Sequence, residues 1–318
     1  MFDLRNHVSD YLRPGAPATK RAVDGLTLHI REGEILGLLG PNGCGKTTFV
    51  NMLIGALSAT AGSIRVFGKD VRTSIAEIRQ RIGFVPQFDV LFDELTVDEH
   101  ILFFTRIKGV DPHREQAMMR AVVADVGLDG NARRYANNLS LGQRRRLSLA
   151  IALTGGSKLL LADEPSTSLD PASRRSLWSV ISRVKRGRSI LLTTHSMAEA
   201  DVLCDRVAVM QEGSLRVVGK PADLKRTLGH GFRVEIAFKA GKGERAVAFV
   251  TKTLLGGKEP DAVSEKRAVW RVQRDEVVMS KVFAQLGLQA TNYGIKQWGI
   301  CPASLEEVFM DVVRSGMA

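Results

Sequence analysis

Residues 40–48 read Gly40-Pro41-Asn42-Gly43-Cys44-Gly45-Lys46-Thr47-Thr48 and match the phosphate-binding pattern G-x-x-x-x-G-K-[ST] in full. An apolar strand, Ile35-Leu36-Gly37-Leu38-Leu39, leads into the loop. A helix with the apolar face Phe49, Met52, Leu53, Ala56 and Leu57 leads out of it. In that setting the glycines let backbone N–H groups converge on phosphates at the positive end of the helix. Lys46 then reaches the β- and γ-phosphates, and the Thr47 hydroxyl serves Mg²⁺. The stretch predicts an α/β fold that binds a nucleoside triphosphate.

Further segments refine the reading. Leu159-Leu160-Leu161-Ala162-Asp163-Glu164 is an apolar strand ending in two adjacent carboxylates. In a P-loop fold Asp163 holds Mg²⁺ through its water shell, leaving Glu164 to accept a proton from the attacking water. Taken alone, the pair also fits a solvated acidic turn. Leu139-Ser140-Leu141-Gly142-Gln143 lies before the acids, and Ser168-Leu169-Asp170 after them. Leu191-Leu192-Thr193-Thr194-His195 is another apolar strand ending in histidine, and Val85-Pro86-Gln87 lies about forty residues beyond the loop. Singly each is weak; in this order they exclude coincidence.

On these motifs the chain resembles the nucleotide-binding domain of an ABC transporter over residues 1 to 228. The resemblance implies the following roles. Residues 40–48 form Walker A, and Asp163 and Glu164 form Walker B with the catalytic base. Gln87 is a Mg²⁺ ligand that senses a transmembrane partner. Ser140, Gly142 and Gln143 belong to the signature that grips the γ-phosphate held by a second nucleotide-binding domain. Asp170 lies in the D-loop, His195 is the switch histidine, and Tyr11 is similar to the aromatic that stacks on adenine. An ordinary edge-strand tyrosine is the alternative for Tyr11.

The strings Asp93-Glu94-Leu95-Thr96-Val97-Asp98-Glu99-His100 and Gly155-Gly156-Ser157-Lys158 resemble the A subfamily, the lipid exporters. So do His195-Ser196-Met197-Ala198-Glu199-Ala200-Asp201 and Ser304-Leu305-Glu306-Glu307-Val308-Phe309. Bacterial drug exporters share parts of these strings. The rival class is a soluble ABC ATPase acting on ribosomes or nucleic acid, which usually carries two such domains where this chain has one P-loop. Leu141 departs from the family, which has glycine there. If that position needs a left-handed backbone, leucine costs about 1–2 kcal/mol. The alternative is a Leu141 that points into its own helical subdomain.

At 318 residues the chain has room for one large and one small domain. No run of eighteen apolar residues or signal-like opening is present; the resemblance implies a place at the cytoplasmic face of a membrane. Cys44, Cys204 and Cys301 share no metal-like or paired spacing. The net charge of +11 is spread: residues 229–318 hold 13 basic and 10 acidic side chains against 32 and 24 in the rest. That fits attraction to anionic headgroups or a plain solvated surface. Arg144-Arg145-Arg146 is the one tight basic cluster. Helical geometry spreads it over different faces, so no nucleic-acid partner is expected.

Residues 2–11, 22–31 and 63–67 alternate as antiparallel strands, whereas 34–39, 159–163 and 189–194 suit a buried parallel sheet. Thr96-x-x-Glu99 is a capping box for a helix over 97–107; helices near 113–126 and 143–153 complete a helical subdomain. Phe88, Leu91, Phe92 and Leu95 cluster after Gln87. Core packing is their default reading, and in the family that groove receives a short helix of the membrane domain. Residues 229–318 predict strands at 232–238, 269–272 and 291–300 alternating with helices at 244–255, 276–286 and after Ser304. This β-α-β-α-β-α order suggests a small ferredoxin-like α/β domain, either a regulatory module or a stabilising appendage.

Overall fold

The computed structural model describes residues 2–10, 21–229, 231–273 and 276–315; Tyr11 lies outside them. Two compact units are present, Met1–Pro221 and Ala222–Ala318.

The first unit runs β1 (Phe2–Asp10), β2 (Arg21–Ile30), β3 (Ile35–Leu39), α1 (Lys46–Leu53), β4 (Ala61–Val66), β5 (Lys69–Asp70), α2 (Val71–Arg81) and β6 (Ile82–Val85). Next come α3 (Val97–Ile107), α4 (Pro112–Val126), α5 (Leu141–Leu153), β7 (Leu159–Asp163), α6 (Pro171–Val184), β8 (Ser189–Thr194), α7 (Met197–Leu203), β9 (Arg206–Gln211) and β10 (Ser214–Gly219).

Two sheets result. One has the order β2-β1-β4-β5 with antiparallel neighbours, as the alternating segments led one to expect. The other has the order β10-β9-β3-β8-β7-β6, parallel except for the β9–β10 pair. Every residue of β3, β7 and β8 is buried, as parallel strands covered on both faces must be. Leu36, Leu38, Leu161 and Leu191 share a core with Phe49, Met52 and Leu53 of α1.

The register places the chemistry. Leu39 pairs with Thr194, and Asp163 with Thr193. The carboxyl ends of β3, β8 and β7 are therefore adjacent, and the residues that follow each strand emerge at one crevice, where open α/β sheets bind ligands.

The helical segment is organised by caps. Thr96 caps α3, its hydroxyl accepting from Glu99 N at 3.3 Å while Glu99 Oε2 accepts from Thr96 N at 2.7 Å. Ser140 and Gln143 form the same reciprocal box on α5.

After α8 (Pro221–Thr227), the second unit runs β11 (Phe232–Phe238), α9 (Gly243–Ala248), a π-helical turn (Phe249–Leu254), β12 (Ala262–Ser264), β13 (Arg267–Val272), α10 (Met279–Gln289), β14 (Ile295–Pro302) and α11 (Leu305–Ser315). Its sheet is antiparallel in the order β12-β13-β11-β14. Val234, Ile236 and Phe238 alternate into a core with Ala268, Trp270, Val272, Val282 and Leu286, and Trp270 Nε1 donates to the Thr251 hydroxyl at 3.2 Å.

Three sequence expectations shift here. A fourth strand, β12, pairs with β13. Helix α10 starts at Met279; the Glu276 carboxylate, in the turn before it, accepts from Gln273 N and from Lys258 Nζ. Strand β14 starts at Ile295, after a 3₁₀ turn over Ala290–Tyr293 that Gly294 ends at φ 77°. Ser304 and Glu307 cap α11 as expected.

Candidate functional site

The loop after β3 is built around glycines that have no substitute. Gly45 has φ 109°, and a Cβ there would lie 2.0 Å from the Ala22 carbonyl oxygen; at Gly40 a Cβ would meet the Met210 oxygen at 2.5 Å. The loop thus wraps tightly against neighbouring backbone before α1 begins. Cys44 is buried beneath it, and burial pushes its thiol pKa up.

Lys46 folds back over the loop. Its Nζ donates to the carbonyls of Gly40 at 2.9 Å and Pro41 at 3.1 Å and sits 3.5 Å from Glu164 Oε1. Thr47 is exposed on the first turn of α1.

Asp163 ends β7 and Glu164 follows it, and both are buried. The Thr193 hydroxyl of the adjacent β8 donates to Asp163 Oδ1. Glu164 turns into the left-handed region at φ 46°, a conformation that costs a non-glycine residue about 1–2 kcal/mol. Its N–H donates to Thr193 O at 3.1 Å. Glu164 Oε2 accepts from the Thr167 hydroxyl at 3.2 Å and lies 3.1 Å from His195 Nδ1. Lys46, Glu164, His195 and Asp163 therefore form one continuous polar cluster drawn from the ends of three adjacent strands.

The other candidate residues stand apart from that cluster. Gln87 is exposed at the start of the loop after β6. Exposed Asp170 caps α6, accepting from Ala172 N and Ser173 N, and its pKa is held down by the Ser173 hydroxyl and N–H. Ser140, Gly142 and Gln143 open α5; the hydrogen bonds of Ser140 and Gln143 run to each other and to Asn131. Among the described residues none of these bonds reaches the loop at 40–48.

Leu141 corrects both sequence expectations. It is the first residue of α5 and carries no positive φ, so no left-handed strain exists. Its side chain is 51 % exposed and does not tuck into its own subdomain.

Sequence reasoning missed Thr193 and Thr167, which hold the two carboxylates, and Arg145. Two threonines at the end of an otherwise apolar buried strand were the available signal for Thr193. The arginine triplet does spread over different faces: Arg144 pairs with Asp93 at 2.8 Å, Arg146 donates to Gly127 O at 3.1 Å, and Arg145 is buried.

Beside Gln87 lies an exposed apolar strip. Phe88 is 78 % exposed, with Val90, Phe92, Phe103 and Ile107 also in solvent. Phe92 meets Phe103 edge-to-face at 5.8 Å. Buried His100 pins the loop: its Nε2 accepts from Phe92 N at 2.9 Å and its Nδ1 contacts Thr96 O at 2.8 Å.

The chain is similar to known proteins in sequence and in fold. The family model described as ABC transporter matches residues 23–167. Over 300 residues the chain is 37 % identical to ABC transporter A family member 7 of Dictyostelium discoideum, covering 94 % of this chain and 35 % of that protein. It is 38 % identical over 298 residues to ABC transporter A family member 9 of Arabidopsis thaliana, covering 92 % and 31 %. The chain thus spans about a third of the length of these relatives. Among solved structures, cbiO1 from Clostridium perfringens, described as part of the ABC transporter complex cbiONQ, aligns with TM-score 0.65 at 25 % identity over 72 % of this chain and 91 % of that one. A dimeric ATP-binding cassette with ADP and Pi aligns with TM-score 0.62 at 24 % identity over 69 % and 98 %, a likeness of fold.

Proposed function

The chain is an ABC nucleotide-binding domain of the A subfamily, and from that premise we propose that it binds and hydrolyses ATP to power the movement of a lipid or other amphiphile across a membrane. The observation that carries the reading is the cluster of Lys46, Asp163, Glu164 and His195 at the carboxyl ends of three adjacent parallel strands. A triphosphate laid along the loop would draw Lys46 onto its β- and γ-oxygens. Glu164 would then face the attacking water and take its proton, with His195 holding the carboxylate and meeting the γ-phosphate.

Thr47, Gln87 and Asp163 offer hydroxyl, amide and carboxylate oxygens. That hard donor set suits Mg²⁺, which keeps several waters and takes further oxygens from phosphate. The ion would neutralise charge between the β- and γ-phosphates.

Because Ser140 and Gly142 do not reach the loop of their own chain, we read the signature as serving a second nucleotide-binding domain placed head to tail, with ATP between the two. The exposed strip of Phe88, Val90, Phe92, Phe103 and Ile107 supports a transmembrane partner that docks beside Gln87. The working place is then the cytoplasmic face of a membrane; among the described residues no helix is long and apolar enough to cross one. We read residues 229–318 as a ferredoxin-like regulatory or interaction domain. The order β12-β13-β11-β14, with helical segments after the first and third strands, favours that reading.

The test is a pull-down from detergent extracts with the chain as bait, alongside Phe88→Ser/Phe92→Ser. Recovery of one polytopic membrane protein, lost with the double variant, supports the transport reading. Recovery of ribosomes or nucleic acid in its place would overturn it.

A further inference from the structure

Arg145 lies on α5, the helix whose first turn carries Ser140 and Gly142, yet its guanidinium is spent elsewhere. The residue is 4 % exposed. Its Nε donates to Pro165 O at 2.5 Å, and its Nη2 to Glu164 O at 3.1 Å and Asp163 O at 3.3 Å. Its Nη1 donates to Pro86 O at 2.6 Å and to Asp89 Oδ1 at 3.0 Å. Asp89 in turn accepts from the Ser148 hydroxyl, one turn further along α5, at 2.7 Å. One side chain thus ties the signature helix to the turn after β7 and to both sides of Gln87.

The bond to Glu164 O has a specific consequence. Glu164 holds a left-handed backbone at φ 46°, and such strain persists only where the surroundings over-determine it. Thr193 accepts from the N–H of Glu164 on one side. Arg145 donates to its carbonyl on the other. Between them they fix the peptide planes that aim the carboxylate at Lys46 and His195. A planar fork of five donors suits three adjacent carbonyls as an ammonium does not.

We propose that Arg145 is a positioning residue for the general base: it holds the left-handed turn at Glu164 and locks that turn to the Gln87 segment and the signature helix. A rigid shift of α5 or of the loop after β6 is then felt at Glu164 through one guanidinium. The inference rests on the reading of Glu164 as the base.

The test compares Arg145→Lys, which keeps the charge and loses the fork, with the parent and with each in a Glu164→Gln background. ATP affinity, single-turnover hydrolysis and melting temperature are measured for all four. The expected result is an unchanged affinity and a hydrolysis rate lowered by roughly tenfold to a hundredfold, the scale of a misplaced catalytic group. In the Glu164→Gln background the same substitution should change the residual rate by no more than about twofold, since groups acting through one another are not additive. An equal loss in both backgrounds, or no loss in the parent, would overturn the proposal. Where Arg145→Lys melts below the working temperature, Arg145→Gln, which keeps an amide donor and loses the fork to the carbonyls of Asp163, Glu164 and Pro165, is read by the same criterion. A Glu164→Gln protein hydrolysing at the parental rate would instead remove the base assignment itself, so the two failures are distinguishable.

Discussion

Lys46 and Glu164 face each other, ammonium to carboxylate, at 3.5 Å, with both side chains buried. The loop lysine and the acid proposed as base are thus each other's partner. On the proposed function, binding of ATP would replace this pair by lysine–phosphate contacts and release the carboxylate toward water.

Lys46→Ala should therefore abolish tight ATP binding, because the phosphates lose their fixed counter-charge, and it should also leave Glu164 without its cation. A fluorescent-ATP titration measures the first effect. Affinity equal to the parent's would remove the phosphate-loop assignment.

Glu164→Gln removes a competitor for Lys46 and the proton acceptor at once. ATP should bind at least as tightly as in the parent, while hydrolysis falls by roughly a hundredfold or more, the scale of a lost general base. Binding and single-turnover rates measured on the same preparation separate the two effects.

Much of this site was legible because its motifs are local. Strand, glycine loop and helix are contiguous, and the caps at Thr96 and Ser304 are four-residue patterns. What escaped depends on distant segments meeting. Helical periodicity separates Arg144, Arg145 and Arg146 but does not say which face is buried, and Arg145 finds its partners 18 to 59 residues away. Strand β12 is three exposed residues, too short and too solvated to show an alternating pattern; it exists because β13 lies alongside. The left-handed turn at Glu164 has no glycine to announce it.

The loop glycines give a paired stability prediction. Gly45 needs both its φ of 109° and the absence of a Cβ, which would lie 2.0 Å from Ala22 O; Gly43, at φ 78°, has open space around it. Gly43→Ala should cost about 1–2 kcal/mol for the left-handed backbone alone. Gly45→Ala should cost clearly more, since backbone must shift. Urea unfolding of both variants checks this, and equal losses would show that the contact with Ala22 relaxes freely.

His100 makes the loop beside Gln87 sensitive to pH. Burial lowers its pKa from 6.5, and the neutral ring accepts from Phe92 N. Below 6.5 the unfolded chain binds more protons than the folded one, so stability falls with falling pH. The contribution is complete above 6.5, shrinks as pH drops toward the lower folded value, and is constant beneath it. Melting temperatures at about pH 7.5 and about pH 5 should differ less in His100→Gln, whose amide oxygen accepts without titrating. The same difference in both proteins would exclude His100 as its source.

Leu141 bears on the assembled state. It sits in the first turn of α5 with ordinary backbone and a side chain 51 % exposed, beside Gly142, where an added Cβ would come within 2.8 Å of the Ser173 hydroxyl. Gly142 thus keeps the close approach of α5 to α6, while Leu141 projects where the family has none of its bulk. If a second nucleotide-binding domain closes over this helix end, the leucine must be accommodated in the seam, and a penalty of about 1.4 kcal/mol lowers the closed population tenfold. The site completed by this signature should accordingly be slow, with a partner domain supplying the faster signature. Leu141→Gly is expected to raise both ATP-dependent dimerisation and turnover, in spite of the lower helix propensity of glycine, about 1 kcal/mol in a helix interior and less at a first turn. Dimerisation is followed by light scattering in the Glu164→Gln background and turnover in the parent. A fall in both, or no change in either, would show that the exposed leucine does not enter the seam.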